Sequence, residues 1–265
     1  MRRKERGPRK VLVICVALGL ALALPPSLLS WGQEYKHFVT RTPIAAGDTL
    51  VIGILGGWEP WNNDKKNVRR LALKLRAMNL PGVHVETLEN HRRQLAMQLV
   101  RNALDRNQDG KLDAEERGSA RIILYGHSFG AAAVVKLARE LQQMGVHVLL
   151  TVQVDSIGRE DSLIPPNVRR AANLYQRHAV FLSGEPEIRA EDLAKTQILG
   201  NFQIDYSKRK VGMSEVPLFK KVFSRAHARM DFDPEVWSQV KEMILQELLP
   251  TPTKTTSTTG SAPHR

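Results

Sequence analysis

The sequence predicts an α/β fold built on a mainly parallel sheet. Apolar runs of strand length alternate along the chain with segments whose apolar residues recur every three or four positions. A serine framed by glycines stands where one such run passes into one such segment. With 265 residues and a 42% hydrophobic fraction, the chain can bury the core of one sizeable domain and still carry tails.

The first ten residues, MRRKERGPRK, set six basic side chains against one acid, and residues 11–33 carry no charge. That pattern is an export leader. Its apolar run, residues 11–24, has signal-peptide length, and Ala21 and Ala23 offer a small-residue cleavage site. The whole uncharged stretch approaches membrane-spanning length, so residues 1–33 are a signal peptide or an uncleaved anchor. Basic residues ahead of the run keep that end in the cytoplasm, leaving the remainder periplasmic, extracellular or tethered to the membrane.

Residues 34–250 read as the folded domain. Residues 49–55, TLVIGIL, form a buried strand followed at once by Gly56-Gly57-Trp58. Val68, Leu71, Ala72 and Leu75 predict a helix over 64–78, ending before Pro81, and a strand follows at 83–88. Leu95, Leu99 and Ala103 predict a helix over 91–104. A strand at 121–125 runs into Gly126-His127-Ser128-Phe129-Gly130, and Val134, Val135, Ala138 and Leu141 face inward from a helix over 131–144. Further strands are predicted at 146–154 and 178–183, and a closing helix over 234–249 buries Val236, Val240 and Ile244. Between them, 164–170 (IPPNVRR) reads as the wall or lid of an acyl pocket, or as a plain connector. Residues 251–265 carry too little apolar surface to offset ordering and read as a disordered tail.

Composition removes several function classes. The single cysteine, Cys15, lies in the leader, which excludes a disulfide scaffold or a cysteine nucleophile in the domain. The net charge of +12 falls to about seven without the leader, and no basic stretch is interleaved with aromatics. Nucleic acid is therefore not expected as a partner; attraction to anionic lipid or surface polymer fits the charge as well.

Residues 126–130 match G-x-S-x-G between a strand and a helix. Such a turn forces the serine into a strained conformation, needs glycine where chain crowds chain, and aims the free amides of the helix at developing negative charge. In these features residues 50–249 resemble the α/β-hydrolase superfamily. The resemblance implies Ser128 as nucleophile, with oxyanion donors from the amides of Phe129 and, after the earlier strand, Trp58, Gly57 being the neighbouring choice. Gly56-Gly57 can also close an ordinary tight turn.

A serine hydroxyl needs a base, and the base an orienting acid, in the superfamily order Ser, Asp or Glu, His. His227, in a polar loop before the final helix, stands where the superfamily places its base. His147 and His178 begin strands, at the wrong edge of a parallel sheet. For the acid, Asp155 ends the strand after the elbow helix and Glu185 ends the next. Asp155 is preferred, although it could merely cap the turn at Ser156.

A second pattern lies upstream. Asp105, Asn107, Asp109, Asp113 and Glu116 supply oxygens at places one, three, five, nine and twelve of a loop with Gly110 sixth, and Lys111 offers its carbonyl at the seventh. This loop resembles an EF-hand, which implies a Ca2+ ion. Gly118 and the following strand cut short the outgoing helix and no partner loop exists, so the expected role of calcium is structural rather than switching. Together these readings predict a serine hydrolase acting on an acyl ester or thioester, without an organic cofactor. The rival is a non-catalytic calcium-binding module on the same fold.

Overall fold

The computed structural model describes residues 32–177, 184–207, 211–212 and 225–248. The chain divides into a unit Met1–Gln33 and a unit Glu34–Arg265. The second unit carries everything that follows. The leader, the tail and the strand expected at 178–183 lie outside the described residues.

Strand β1 (Thr49–Leu55) is followed by α1 (Asn67–Ala77), β2 (Val83–Glu89), α2 (Arg93–Leu104), the short α3 (Ala114–Gly118) and β3 (Ile122–His127). Then come α4 (Phe129–Gln143), β4 (Val148–Val154), β5 (Leu163–Ile164), β6 (Val168–Tyr175), β7 (Arg189–Ala190), β8 (Gln197–Gln203), α5 (Arg225–Phe232) and α6 (Pro234–Leu248). Six strands form one all-parallel sheet in the order β2-β1-β3-β4-β6-β8, and β5 pairs with β7 apart from it. A parallel sheet buried on both faces explains why β1 and β3 read as unbroken apolar runs.

Alternate residues feed two cores. Leu50, Ile52, Ile54, Ile122 and Leu124 pack with α2 and α4 on one face. Val51, Leu55, Ile123 and Tyr125 pack with α1 and α6 on the other. The result is the α/β architecture expected from the sequence, a parallel sheet with helices over both faces.

The chain reverses direction across the sheet between β1 and β3, which are neighbours although β2 lies between them in sequence. Loops leaving the carboxyl ends of two such strands diverge to opposite faces and open a crevice, the usual place for a site in an open α/β sheet. The turn after β1 carries Gly56 and the turn after β3 carries Ser128.

Three expectations need correction. The segment 164–170 does not wall or lid the site at Ser128 and is nearer the connector reading: Pro165, Pro166 and Asn167 lead into β6, whose Val168 pairs with Val148 at the start of β4, the sheet edge opposite Ser128. Asn167 fixes that turn by donating to the carbonyls of Ala138 (2.9 Å) and Val146 (3.0 Å). The strand next to β4 is thus β6, and β8 extends the sheet beyond it. Finally, His227 lies in a helix, α5, rather than a loop. Ala226, Ala228 and Met230 are buried there while the polar residues between them find buried partners.

Candidate active site

Ser128 caps the N-terminus of α4 at φ 60° and ψ −127°, a conformation that residues with a Cβ rarely adopt. Neighbouring backbone holds it there. Its N–H donates to the Val154 carbonyl (3.0 Å), and its own carbonyl accepts from Ala131 (3.0 Å) and from Ile157 (3.3 Å). The framing glycines are required by close approach: a Cβ on Gly126 would stand 2.6 Å from the Gly130 carbonyl carbon, and one on Gly130 only 2.1 Å from the Ile54 oxygen. Gly56 is equally constrained, since a Cβ there would lie 2.9 Å from that of Ser128. The β1 turn therefore abuts the serine.

His227 joins the two other residues singled out from the sequence. Its Nε2 lies 3.0 Å from Ser128 Oγ and its Nδ1 lies 2.6 Å from Asp155 Oδ2. Asp155 is fully buried at the end of β4. Its Oδ1 accepts the Gly184 N–H (3.0 Å), and its Oδ2 accepts the Gln176 side-chain amide (3.0 Å). These bonds hold the carboxylate toward His227 rather than over the turn at Ser156. Glu185, the other candidate acid, turns away and accepts the Glu187 N–H at 3.4 Å. His147 is exposed at the start of β4, and His178 lies outside the described residues.

Behind His227 stands a second ring. His127 stacks on it with centroids 4.7 Å apart and planes inclined by 22°. Burial pushes the His127 imidazole down to about 3, so it is neutral at ordinary pH. Near it, Lys66 Nζ bridges Asp231 Oδ2 (2.7 Å) and the Glu59 carboxylate. Burial works against charge on both Lys66 and Asp231. Their mutual attraction, aided at Lys66 by Glu59 and at Asp231 by the Asn67 N–H, nonetheless raises the Lys66 pKa and lowers that of Asp231. Glu59 follows the Gly56-Gly57-Trp58 turn and Asp231 is one helical turn beyond His227, so this lysine ties the two halves of the site together.

The turn after β1 is pinned from its other side by Asn90, whose Nδ2 donates to the Leu55 carbonyl (3.1 Å) and to that of Gly57. A trans peptide sets N–H opposite C=O, so fixing the Gly57 carbonyl turns the Trp58 N–H to the opposite side of that peptide. Phe129 is the first residue of α4, where an N–H has no acceptor within its helix. Both side chains stand at the surface, Trp58 89% and Phe129 52% exposed.

The EF-hand-like loop lies elsewhere, before the amino end of β3. Asp105 Oδ2 accepts the Gly110 N–H (3.0 Å), Asp109 Oδ1 accepts that of Lys111 (2.8 Å), and Asp113 Oδ1 accepts that of Glu116 (2.9 Å). Glu116 is buried and accepts the N–H groups of Arg106 (2.7 Å) and Asp113 (3.1 Å). No group of three acidic, histidine or cysteine side chains is gathered to hold a metal ion among the described residues. The donor types and the turn at Gly110 (φ 80°) suit a hard cation, which would draw Glu116 off its amide partners.

Comparisons with known proteins give distant likenesses. No protein-family model matches the chain. No curated protein matches it either. Among solved structures it is similar to a cutinase-like protein from Cryptococcus sp., with 12% identity and a TM-score of 0.44 over 78% of this chain and 98% of that one. An uncharacterized Pseudomonas aeruginosa protein matches with 13% identity and a TM-score of 0.43 over 75% of this chain, which spans half of that protein's length. An acetyl xylan esterase matches with 11% identity and a TM-score of 0.38 over 79% of this chain and all of the other.

Gln176, Gly184, His127 and Lys66 were not evident from the sequence. The nearest signal is Lys66, second of the pair Lys65-Lys66 directly ahead of an amphipathic helix, and that is too common a feature to single it out.

Proposed function

We propose that this protein is a serine hydrolase that cleaves an ester or thioester. The observation that carries the reading is the unbroken relay from Ser128 Oγ through both nitrogens of His227 to the buried carboxylate of Asp155. In the first half-reaction His227 Nε2 takes the Ser128 proton as Oγ attacks the substrate carbonyl carbon. Nδ1–H stays bonded to Asp155, which fixes the tautomer and stabilises the imidazolium. The amides of Trp58 and Phe129 stabilise the oxyanion, and the N-terminus of α4 adds its dipole. The tetrahedral adduct expels the alcohol or thiol, which takes the proton from Nε2 and leaves Ser128 acylated. Water activated by the same nitrogen then releases the acid and restores the serine.

Calcium belongs to this reading as a structural ion held by Asp105, Asn107, Asp109, Asp113, Glu116 and the Lys111 carbonyl. The ion would supply positive charge that closes the loop, and no catalytic step runs through it. Export is supported by the basic and then apolar leader. Among the described residues no helix is long and apolar enough to cross a membrane.

The test is labelling of the purified protein by a fluorophosphonate probe. Wild type is expected to be labelled, and Ser128→Ala and His227→Ala are expected to lose the label while keeping native circular dichroism. A folded wild type that stays unlabelled would sink the hydrolase reading in favour of the calcium-binding module.

A further inference from the structure

We propose that the substrate carries an anionic group, bound in the cleft beside Phe129; the inference rests on the hydrolase reading and names the class of its substrate. The cleft holds about 430 Å³ and begins at Phe129, the residue after Ser128. Its walls include Phe129, which follows the serine, Ile157, whose N–H donates to the serine carbonyl, and Asn90, which holds the Gly57 turn. A substrate acylating Ser128 can extend past Phe129 into this space.

Its charge is of one sign. Arg93, Lys136 and Arg159 line it, and no acid does. Arg93 is partly neutralised by Glu140 behind it (3.0 Å). Half-buried Lys136 and exposed Arg159 have no anionic partner among the described residues. Of the two acids that follow Arg159 on its loop, Asp161 is turned inward onto Ser156 Oγ and buried, and exposed Glu160 does not line the cleft. Two unpaired cations in a concavity with apolar walls attract an anion more strongly than on an open face, because low-dielectric walls focus their field. A purely aliphatic acyl chain would leave both cations without a role. An ester bearing a carboxylate or phosphate a few atoms from the carbonyl would use them.

The experiment compares p-nitrophenyl hemisuccinate with p-nitrophenyl butyrate, alongside fluorophosphonate labelling of Ser128. The kcat/KM for the anionic ester is expected to exceed that for the neutral one about tenfold, and raised salt should shrink the preference. In Lys136→Ala/Arg159→Ala the ratio falls about tenfold, and in Lys136→Glu/Arg159→Glu it inverts. Competition by monomethyl succinate against methyl phosphate tells which anion the cleft takes. A labelled serine with no charge preference, or a double variant in which both esters slow in step, overturns the anionic-group proposal and leaves the hydrolase standing. An unlabelled serine with neither ester cleaved overturns both.

Discussion

Acid should destabilise this fold through one histidine. His127 is buried, and its imidazole is pushed from the ordinary histidine value of 6.5 down to about 3. Above pH 6.5 the ring is neutral both folded and unfolded and contributes no pH dependence. Below it the unfolded chain takes up a proton that the folded chain refuses, so stability falls with pH down to the folded value. Each pKa unit is worth about 1.4 kcal/mol, so by pH 5 this residue costs about 2 kcal/mol relative to pH 8. For a domain of this size that is about 4–8 °C in Tm. His127→Phe keeps an aromatic ring against His227 and removes the titration. Thermal melts of both proteins at pH 8 and pH 5 isolate the effect, because every other titrating group is shared. The wild type should lose about 2 kcal/mol more than the variant between the two conditions. Parallel losses would refute the assignment of a neutral buried imidazole at this position.

Lys66→Met strands the buried Asp231 carboxylate, an imbalance that costs about 3–5 kcal/mol in fully buried pairs and somewhat less here; a urea melt should recover much of the loss in Lys66→Met/Asp231→Asn. Gly184→Ala would set a Cβ 2.2 Å from Asp155 Oδ1, so ester hydrolysis should fall about 100-fold with KM little changed, measured by steady-state kinetics. Calcium should raise Tm and EDTA lower it, with Glu116→Gln blunting both shifts in a thermal scan, while fluorophosphonate labelling of the chelated protein persists at a temperature where it stays folded.

Legibility in the sequence followed burial. Strands β1 and β3 read as continuous apolar runs, and β4 as one interrupted by Thr151 and Gln153, because both faces of the sheet are covered, and α1, α2, α4 and α6 each keep an apolar stripe. Strand β6 was hidden because Arg169 and Arg170 open it in ion pairs with Glu247, and because it buries the polar Asn173, whose Nδ2 donates to the Glu185 carbonyl (2.7 Å). Strand β8 lies at the sheet edge and is largely uncovered, so it lacks a buried strand's composition. Within the site, Ser128 is marked by local glycines and can be found locally. Asp155 and His227 were named by chain order and element ends. The groups that orient them had no such signal: Gly184 meets Asp155 across 29 positions and Lys66 meets Asp231 across 165.

The arrangement of these parts also separates catalysis from the proposed metal. Gly56, Ser128, Asp155 and Gln176 follow β1, β3, β4 and β6, four consecutive strands of one parallel sheet, so all emerge at the carboxyl edge. The loop from Asp105 to Glu116 enters β3 from the amino edge, one strand of six residues away from Ser128. At about 3.3 Å per residue that is roughly 20 Å, beyond two Debye lengths at physiological salt. A cation there has little direct leverage on the serine. Its influence would pass through the anchoring of β3, which carries Ser128 at its far end and pairs with β1 and β4 on either side. Loss of the ion would therefore register first as loss of the fold, and only through the fold as loss of the reaction.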